Sequence, residues 1–157
     1  MMLLGIVVSR WGWICLAYCL MTTYYHLVLQ VPTGELSAGM QALNGRFSRR
    51  TNRRWGGHAH LFENRFGERR IETGEHLREA SRYVVLDPVR AGICDDPEHY
   101  GWSSYRACAG LEPAPAFLAA GEHQRLFGDT PEAATAAYRR FVRDGHVLVS
   151  DTGVRGW

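Results

Sequence analysis

Two adjacent apolar runs joined by a short polar turn place the strongest constraint on how this chain can fold. The runs are residues 13–21 and 24–31, and Thr22 and Thr23 lie between them. Long runs of aromatic, aliphatic and β-branched residues broken by two polar residues predict a pair of β-strands joined by a tight turn. The sequence Pro32-Thr33-Gly34 then ends the second strand.

The second predicted strand has two chemically different faces, because side chains alternate along a strand. The apolar face comprises Tyr25, Leu27, Leu29 and Val31. The other face offers a phenol, an imidazole and an amide, and it comprises Tyr24, His26, Val28 and Gln30. We interpret this polar face as the floor of an active site.

Helical periodicity and breaker residues predict the other elements. Helices are expected at Leu3–Arg10, at Glu35–Arg54, at Glu75–Leu86 after an N-cap at Thr73, and at Ala133–Asp144. Asp87-Pro88 is expected to end the third helix, because a residue before proline avoids the α region. Shorter features are a strand or extended segment at Leu61–Ile71, a short helix at Trp102–Tyr105, a linker at Glu112–Gly121, and a loose tail over 146–157.

The charges are distributed unevenly along the chain, although the formal net charge is only +2. All 18 basic residues are arginine, which suits bidentate contacts with phosphate. Five of them lie between Leu36 and Phe62, a stretch without any acidic residue. Such a block indicates a polyanionic partner, nucleic acid first, although a solvated helix face is the common alternative.

Residues 1–21 are mostly apolar and allow a membrane anchor as an alternative to a helix, a turn and a strand. Arg10 near the middle of this segment favours the second interpretation, because an arginine at the bilayer centre costs about 3 kcal/mol. The four cysteines (Cys15, Cys19, Cys94 and Cys108) lack metal-binding spacing. We therefore expect buried thiols in a reducing compartment.

Tyr83 and Asp87 have the spacing that places two side chains on the same side of a helix. A tyrosine can attack a phosphodiester when a metal ion polarises the phosphate, and His26 could complete such a cluster from the sheet. Each of the three residues also has an ordinary structural explanation, so the spacing alone leaves the choice open.

Several motifs occur in the order and spacing of the REP-associated tyrosine transposases, which are single-tyrosine transposases of the HUH class. The chain resembles this family over residues 5–107, in the following segments: CLMTTYYHL at 19–27, GMQALNGRF at 39–47, NRR at 52–54, HLFENRF at 60–66, SRYVVLDPVRAG at 81–92 and WSSY at 102–105. Motifs in one order are more specific than any single motif.

The resemblance implies an α/β (α+β) fold of the ferredoxin-like or RRM-like kind, in which helices pack on an antiparallel central sheet. Residues 1–110 would form an N-terminally incomplete transposase domain that lacks the first strand, with a truncated gene or a mis-assigned start codon as the cause. Residues 111–157 would form a linker, a short helix and a loose tail.

The resemblance also implies a chemistry. In the family, two histidines and a polar residue hold Mg²⁺ or Mn²⁺, while the tyrosine cuts single-stranded DNA and keeps the 5′ phosphate. By match, Tyr83 is the nucleophile, and His26 and Asp87 are metal ligands. The implied residues for binding single-stranded or hairpin DNA are Asn44, Arg46, Arg49, Arg50, Arg53, Arg54, His60 and Arg65.

The chain departs from the family pattern at two of these positions. Tyr24 occupies the place of the first histidine, and a neutral phenol is a poor ligand for a hard divalent ion. Asp87 replaces an asparagine, and its carboxylate is a better ligand that could partly compensate. Two interpretations follow: a cytoplasmic DNA-cleaving and DNA-joining transposase, monomeric or homodimeric and without a membrane partner, or an inactive remnant that only binds structured single-stranded DNA.

Overall fold

A computed structural model describes residues 1–56, 61–62 and 64–152, with side-chain surroundings up to residue 146. The described chain is a mixture of α-helices and one antiparallel pair of strands, as predicted. The elements are α1 (Met2–Arg10), β1 (Ile14–Leu20), β2 (Tyr25–Gln30), α2 (Leu36–Trp55), α3 (Gly74–Arg90), a 3-10 helix (Pro97–His99), α4 (Tyr105–Cys108), α5 (Ala120–Gln124) and α6 (Pro131–Thr152).

The chain divides into two compact units. The first unit contains Met1–Ile14 and Gln30–Arg70, and the second contains Cys15–Leu29 and Ile71–Trp157. The second unit therefore holds nearly all of both strands together with α3, α4, α5 and α6. Residue 110 is not a boundary between these units, and the transposase domain at 1–110 with a tail at 111–157 stays a prediction.

Strand β1 is buried along its length and is hydrogen-bonded on both edges. One edge pairs with β2. On the other edge, the amide of Leu20 donates to the carbonyl of Trp102, and the amide and carbonyl of Tyr18 bond to Ser104. The amide of Ala119 donates to the carbonyl of Cys15 on the same edge. This pairing satisfies backbone groups that burial removes from water.

The face of β2 that carries His26 is not simply the polar face that the alternation predicts. Val28, on the same face as His26, is buried, whereas Leu27 and Leu29 on the other face are only partly buried. The physical reason is the position of α3, since His26 contacts Asp87 and Tyr83 of that helix. The candidate site thus borders the core of the second unit.

Helix α3 begins as predicted but continues further than predicted. The Thr73 hydroxyl caps its start by accepting from the amide of His76 at 3.1 Å. The prediction that Asp87-Pro88 ends the helix is wrong, because α3 runs through Pro88 to Arg90. Burial of Asp87 and Pro88 outweighs the local preference of a residue before proline.

Two other local predictions differ from the structure. Of the two alternatives for Leu61–Ile71, the strand is wrong, because its described residues form no strand and are mostly exposed. The short helix expected at Trp102–Tyr105 begins instead at Tyr105. Ser103 and Ser104 are both buried. The Ser104 hydroxyl accepts from the amide of Tyr18 on β1, and the Ser103 hydroxyl accepts from the amide of Tyr105 at the start of α4.

The segment after residue 110 is integrated into the second unit. The expected linker at Glu112–Gly121 contains the buried Leu118, whose backbone forms a parallel β-bridge with Cys15. The helix expected to end at Asp144 continues as α6 to Thr152, so the loose tail is wrong for residues 146–152, while 153–157 lie outside the described residues. Gly145 is needed within this helix, because a Cβ there would lie 2.5 Å from Cδ of Arg82.

An aromatic cluster joins α5 to α6 around a buried histidine. His123 is fully buried, and its ring lies 4.7 Å from Tyr138 and 5.3 Å from Phe127, measured between centroids. Among the described residues, neither ring nitrogen of His123 has a hydrogen-bond partner. Burial lowers the pKa of His123 from 6.5 to about 4, so the imidazole is neutral in the folded protein near pH 7.

The apolar N-terminal segment forms α1, a turn at Gly12 and β1, as the alternative to a membrane anchor predicts. In the described part of the chain, no helix combines the length and the apolarity required to cross a bilayer.

Close packing at Gly39 leads to a first prediction. Gly39 lies on α2, where a Cβ would come within 2.7 Å of Cη2 of the buried Trp13 indole. We expect Gly39→Ala to lower the free energy of unfolding by about 1–3 kcal/mol, because the indole has no room to shift. Urea denaturation followed by circular dichroism measures this change.

Gly45→Ala is the matched control on the same helix. Its Cβ would meet only the flexible guanidinium end of Arg49, at 3.3 Å. Since alanine favours a helix over glycine, this variant should gain up to about 1 kcal/mol. Equal effects of the two substitutions would contradict the packing at Trp13.

The buried His123 leads to a second prediction, about pH. Below pH 6.5 the unfolded chain protonates this imidazole, but the folded chain does so only near pH 4. Stability should therefore fall as pH decreases through this window, by up to about 3 kcal/mol from this group. The neighbouring phenol of Tyr138 stays neutral there, because burial raises its pKa well above 10.

Thermal unfolding of the wild type and of His123→Leu between pH 7 and pH 4 isolates this contribution. The stability of the wild type should decrease more steeply than that of the variant. Parallel pH profiles would show that His123 is protonated without cost in the folded protein.

Candidate active site

Strand β2 and helix α3 bring together the four residues that the sequence analysis assigned to the site. Tyr24 directly precedes β2 and His26 lies near its start, while Tyr83 and Asp87 lie one helical turn apart on α3. The His26 ring is 5.3 Å from that of Tyr24 and 5.8 Å from that of Tyr83, measured between centroids and edge-on in both cases. All four belong to the second unit.

Asp87 is the centre of this cluster. His26 Nε2 lies 3.5 Å from Asp87 Oδ2, which is long for a hydrogen bond. Oδ2 is buried and has no hydrogen-bond partner among the described residues. The carboxylate is only 8% exposed, whereas the His26 side chain is 35% exposed, so the imidazole reaches solvent and the carboxylate does not.

Two opposing effects act on the pKa of Asp87. Burial alone would raise it, but the neighbouring imidazole of His26, the phenol of Tyr24 and the guanidinium of Arg90 outweigh burial and hold it below its usual value. The carboxylate is therefore ionised at neutral pH, which makes it an acceptor and a ligand for a cation.

Tyr24 stays protonated at neutral pH. Burial raises the pKa of Tyr24 to about 12, and the interaction with Asp87 raises it in the same direction. A protonated phenol can donate to the carboxylate, but it is a weak ligand for a hard divalent ion. Tyr24 is thus a neutral group in the surroundings of Asp87.

Arg90 is a site residue that the sequence analysis missed. Its guanidinium lies 3.7 Å from the centroid of the Tyr83 ring, donates to the Tyr83 carbonyl and is 3.4 Å from Asp87 Oδ1. A cation over an aromatic face in a partly buried place stabilises by roughly 0.5–2 kcal/mol. The signal was available in the spacing, because Tyr83, Asp87 and Arg90 are i, i+4 and i+7 on one helix.

A divalent cation has two suitable protein ligands here, His26 Nε2 and the unpartnered Asp87 Oδ2. The buried carboxylate oxygen without a partner fits a cation, and Mg²⁺ commonly takes one or two carboxylates while keeping waters and substrate phosphates. No cluster of three histidine, cysteine or acidic side chains occurs among the described residues. The protein thus supplies a partial ligand set.

The residues proposed to bind DNA lie apart from this cluster in the sequence, in the first unit. Helix α2 carries Asn44, Arg46, Arg49, Arg50, Arg53 and Arg54, and Arg65 follows in an irregular segment. The side chains of Arg49, Arg50, Arg53 and Arg54 are exposed, and within the described chain none forms an ion pair with an acid. His60 lies outside the described residues.

Two exposed aromatic side chains accompany these arginines. Trp55 is 76% exposed at the end of α2, with the Arg54 guanidinium 5.8 Å from its ring centroid. Phe47 on α2 is 48% exposed, and its ring centroid is 6.0 Å from that of Phe62. Exposed rings among arginines are typical of surfaces that stack unpaired bases.

Comparisons with protein families, with curated proteins and with solved structures give no match to this chain.

Proposed function

We propose that the protein is a transposase-like enzyme that cleaves and rejoins single-stranded or hairpin DNA through a 5′-phosphotyrosine on Tyr83. The observation that carries the proposal is the convergence of Tyr83, Asp87 and His26, which lie 57 or more residues apart between strand and helix but within one cluster in space. The antiparallel strands and the helix that bears Tyr83 would then form an HUH-transposase-like site.

Each residue has a definite role in this chemistry. The Tyr83 oxygen forms a bond to phosphorus while the bond from phosphorus to the 3′ oxygen breaks. The phenol loses its proton, and the released 3′ oxygen takes up a proton to become a hydroxyl. Asp87 holds negative charge beside the reacting groups, and Tyr24 stays neutral beside it. Rejoining reverses these bond changes with a 3′ hydroxyl as the attacking group.

Mg²⁺ or Mn²⁺ would be held by His26 and Asp87, and when bound it would polarise the phosphodiester and neutralise charge in the transition state. His26 is positioned for this role by strand pairing, and Asp87 by burial within α3.

DNA binding would use the arginines of α2 for phosphates and the aromatic rings for bases. Four of these arginines (Arg49, Arg50, Arg53 and Arg54) are exposed, and they can therefore follow a single-stranded backbone. Trp55 and Phe47 supply stacking surfaces for unpaired bases, which a double helix does not present. These features favour a single-stranded substrate over a duplex.

The second candidate function is DNA binding without cleavage. The observation that favours it is Tyr24, whose protonated phenol stands where the family pattern has a metal-binding histidine. The arginine surface of α2 would still bind structured single strands.

Adduct formation tests the nucleophile. Wild-type protein incubated with Mn²⁺ and a hairpin-containing single strand should form a covalent protein–DNA adduct, seen as a band of reduced mobility in denaturing gels. Tyr83→Phe should abolish the adduct, because it removes only the attacking oxygen. Tyr138→Phe is the matched control, since its hydroxyl is buried and has no partner among the described residues. An adduct that survives Tyr83→Phe would refute the assignment.

Tyr24→His separates the two candidate functions. If the wild type cleaves weakly or not at all and Tyr24→His cleaves faster, the rest of the metal site is competent, and the missing histidine at position 24 limits the wild type. If neither protein cleaves under conditions in which both bind the hairpin, binding alone is the function.

Salt dependence tests the DNA-binding surface. Substituting Arg50 and Arg53 together by alanine should flatten the slope of log K against log salt concentration by about 1.4, because each phosphate contact with a single strand contributes about 0.7. Trp55→Ala should weaken binding about 5- to 100-fold at every salt concentration, because stacking involves no ion release.

Replacing Arg140 and Arg143 together by alanine gives the control. Both are exposed on α6 in the second unit. Fluorescence anisotropy with a labelled single strand measures all four proteins, and an equal loss of slope in both arginine pairs would show that no particular surface binds DNA.

A further inference from the structure

Arg90 contacts the proposed nucleophile at two places and the proposed metal ligand at a third. Its guanidinium covers the Tyr83 ring at 3.7 Å from the centroid, donates to the Tyr83 carbonyl, and lies 3.4 Å from Asp87 Oδ1. The Arg90 side chain is only 14% exposed, so this arrangement is a packed one and not a surface ion pair.

We infer that Arg90 is a positioning residue, which fixes the orientation of the Tyr83 phenol and directs Asp87 Oδ2 toward His26. The inference rests on the proposed function for its meaning in catalysis. Its geometric content concerns three side chains of the second unit and can be tested without cleavage.

Arg90 and His26 both lie against the Tyr83 ring. Rotation of a tyrosine side chain about its Cα–Cβ bond moves both the ring and the attacking oxygen, whereas rotation about Cβ–Cγ leaves the oxygen on the ring axis. The guanidinium over one face of the Tyr83 ring and the His26 ring, nearly perpendicular to it at 5.8 Å between centroids, confine that movement. Since nucleophilic attack requires alignment with the phosphorus, confining the phenol favours the reaction.

The two carboxylate oxygens of Asp87 have different surroundings. Arg90 lies next to Oδ1, whereas Oδ2 faces Nε2 of His26 at 3.5 Å and has no hydrogen-bond partner in the described part of the chain. An interaction with one oxygen fixes the carboxylate plane and leaves the other oxygen available. Arg90 thereby separates a structural oxygen from a reactive one.

Pro88 lies between Asp87 and Arg90 within α3 and does not end the helix. Because α3 continues through Pro88, Arg90 lies on the same face of the helix as Tyr83. Tyr83 precedes it by two turns. The bond from Arg90 to the Tyr83 carbonyl ties the last turn of α3 to the turn that carries the nucleophile.

The matched control is Arg82, the neighbour of Tyr83 on the same helix. Its guanidinium covers the Phe141 ring at 4.2 Å and pairs with Glu79 at 2.6 Å, so it makes the same kinds of contact away from the site. Arg90→Met and Arg82→Met both remove a stacked cation and an ion pair from α3.

The kinetic test measures single-turnover adduct formation with saturating hairpin DNA and Mn²⁺. Arg90→Met should slow the reaction by about 10- to 100-fold with unchanged DNA affinity, because a misdirected nucleophile costs rate and not binding. Arg90→Lys, which keeps the charge but loses the planar stack, should fall between Arg90→Met and wild type. Arg82→Met should lower the Tm but leave the rate unchanged. Equal rates in wild type and Arg90→Met, or equal losses in both methionine variants, would overturn the inference.

A spectroscopic test applies whether or not the protein cleaves DNA. In protein labelled at tyrosine and histidine, the ring protons of Tyr83 and His26 should show a nuclear Overhauser effect that Arg90→Met removes and Arg82→Met keeps. If wild type forms no adduct, the proposed function fails, and this measurement alone decides the positioning role. Persistence of the effect in folded Arg90→Met would refute that role.

Discussion

Burial of β1 is the constraint on which much of the second unit depends. A strand covered on both faces cannot leave its amides and carbonyls to water, so both of its edges must be paired. β2 satisfies one edge, and the backbones near Ser104 and Leu118 satisfy the other. Positions that the sequence presents as a short helix and a linker are thereby drawn into the sheet.

The candidate site depends in turn on the continuation of α3 through Pro88. A helix that ended at Asp87 would leave Arg90 outside the cluster and the Tyr83 ring with one open face. In the continuing helix, Arg90 joins the imidazole of His26 and the phenol of Tyr24 beside Asp87, and these groups together offset the unfavourable burial of its charge. The same three groups orient the carboxylate, so stability and the proposed chemistry rest on one set of contacts.

The sequence predicted the elements that local patterns govern and missed those that distant contacts govern. The strand pair, the Thr73 cap and the shared helix side of Tyr83 and Asp87 follow from strand periodicity, capping chemistry and helical spacing. The position of His26 beside them was expected from the family resemblance and not from spacing. Arg90 was missed because a residue before proline usually ends a helix, a preference that burial overrides. The last helix was expected to end at Asp144, but it continues through Gly145, whose missing Cβ leaves room for Arg82. The roles of the site residues stay predictions.

The pairing of β1 also determines when the protein can fold. Tyr18 is bonded to a residue 86 positions further along the chain, and Cys15 is paired with a residue still nearer to the C-terminus. Contacts so distant in sequence form late and slow the folding of a domain. During synthesis, β1 and β2 would leave the ribosome long before the backbone that completes the sheet. The nascent hairpin therefore presents an unpaired apolar edge in that interval.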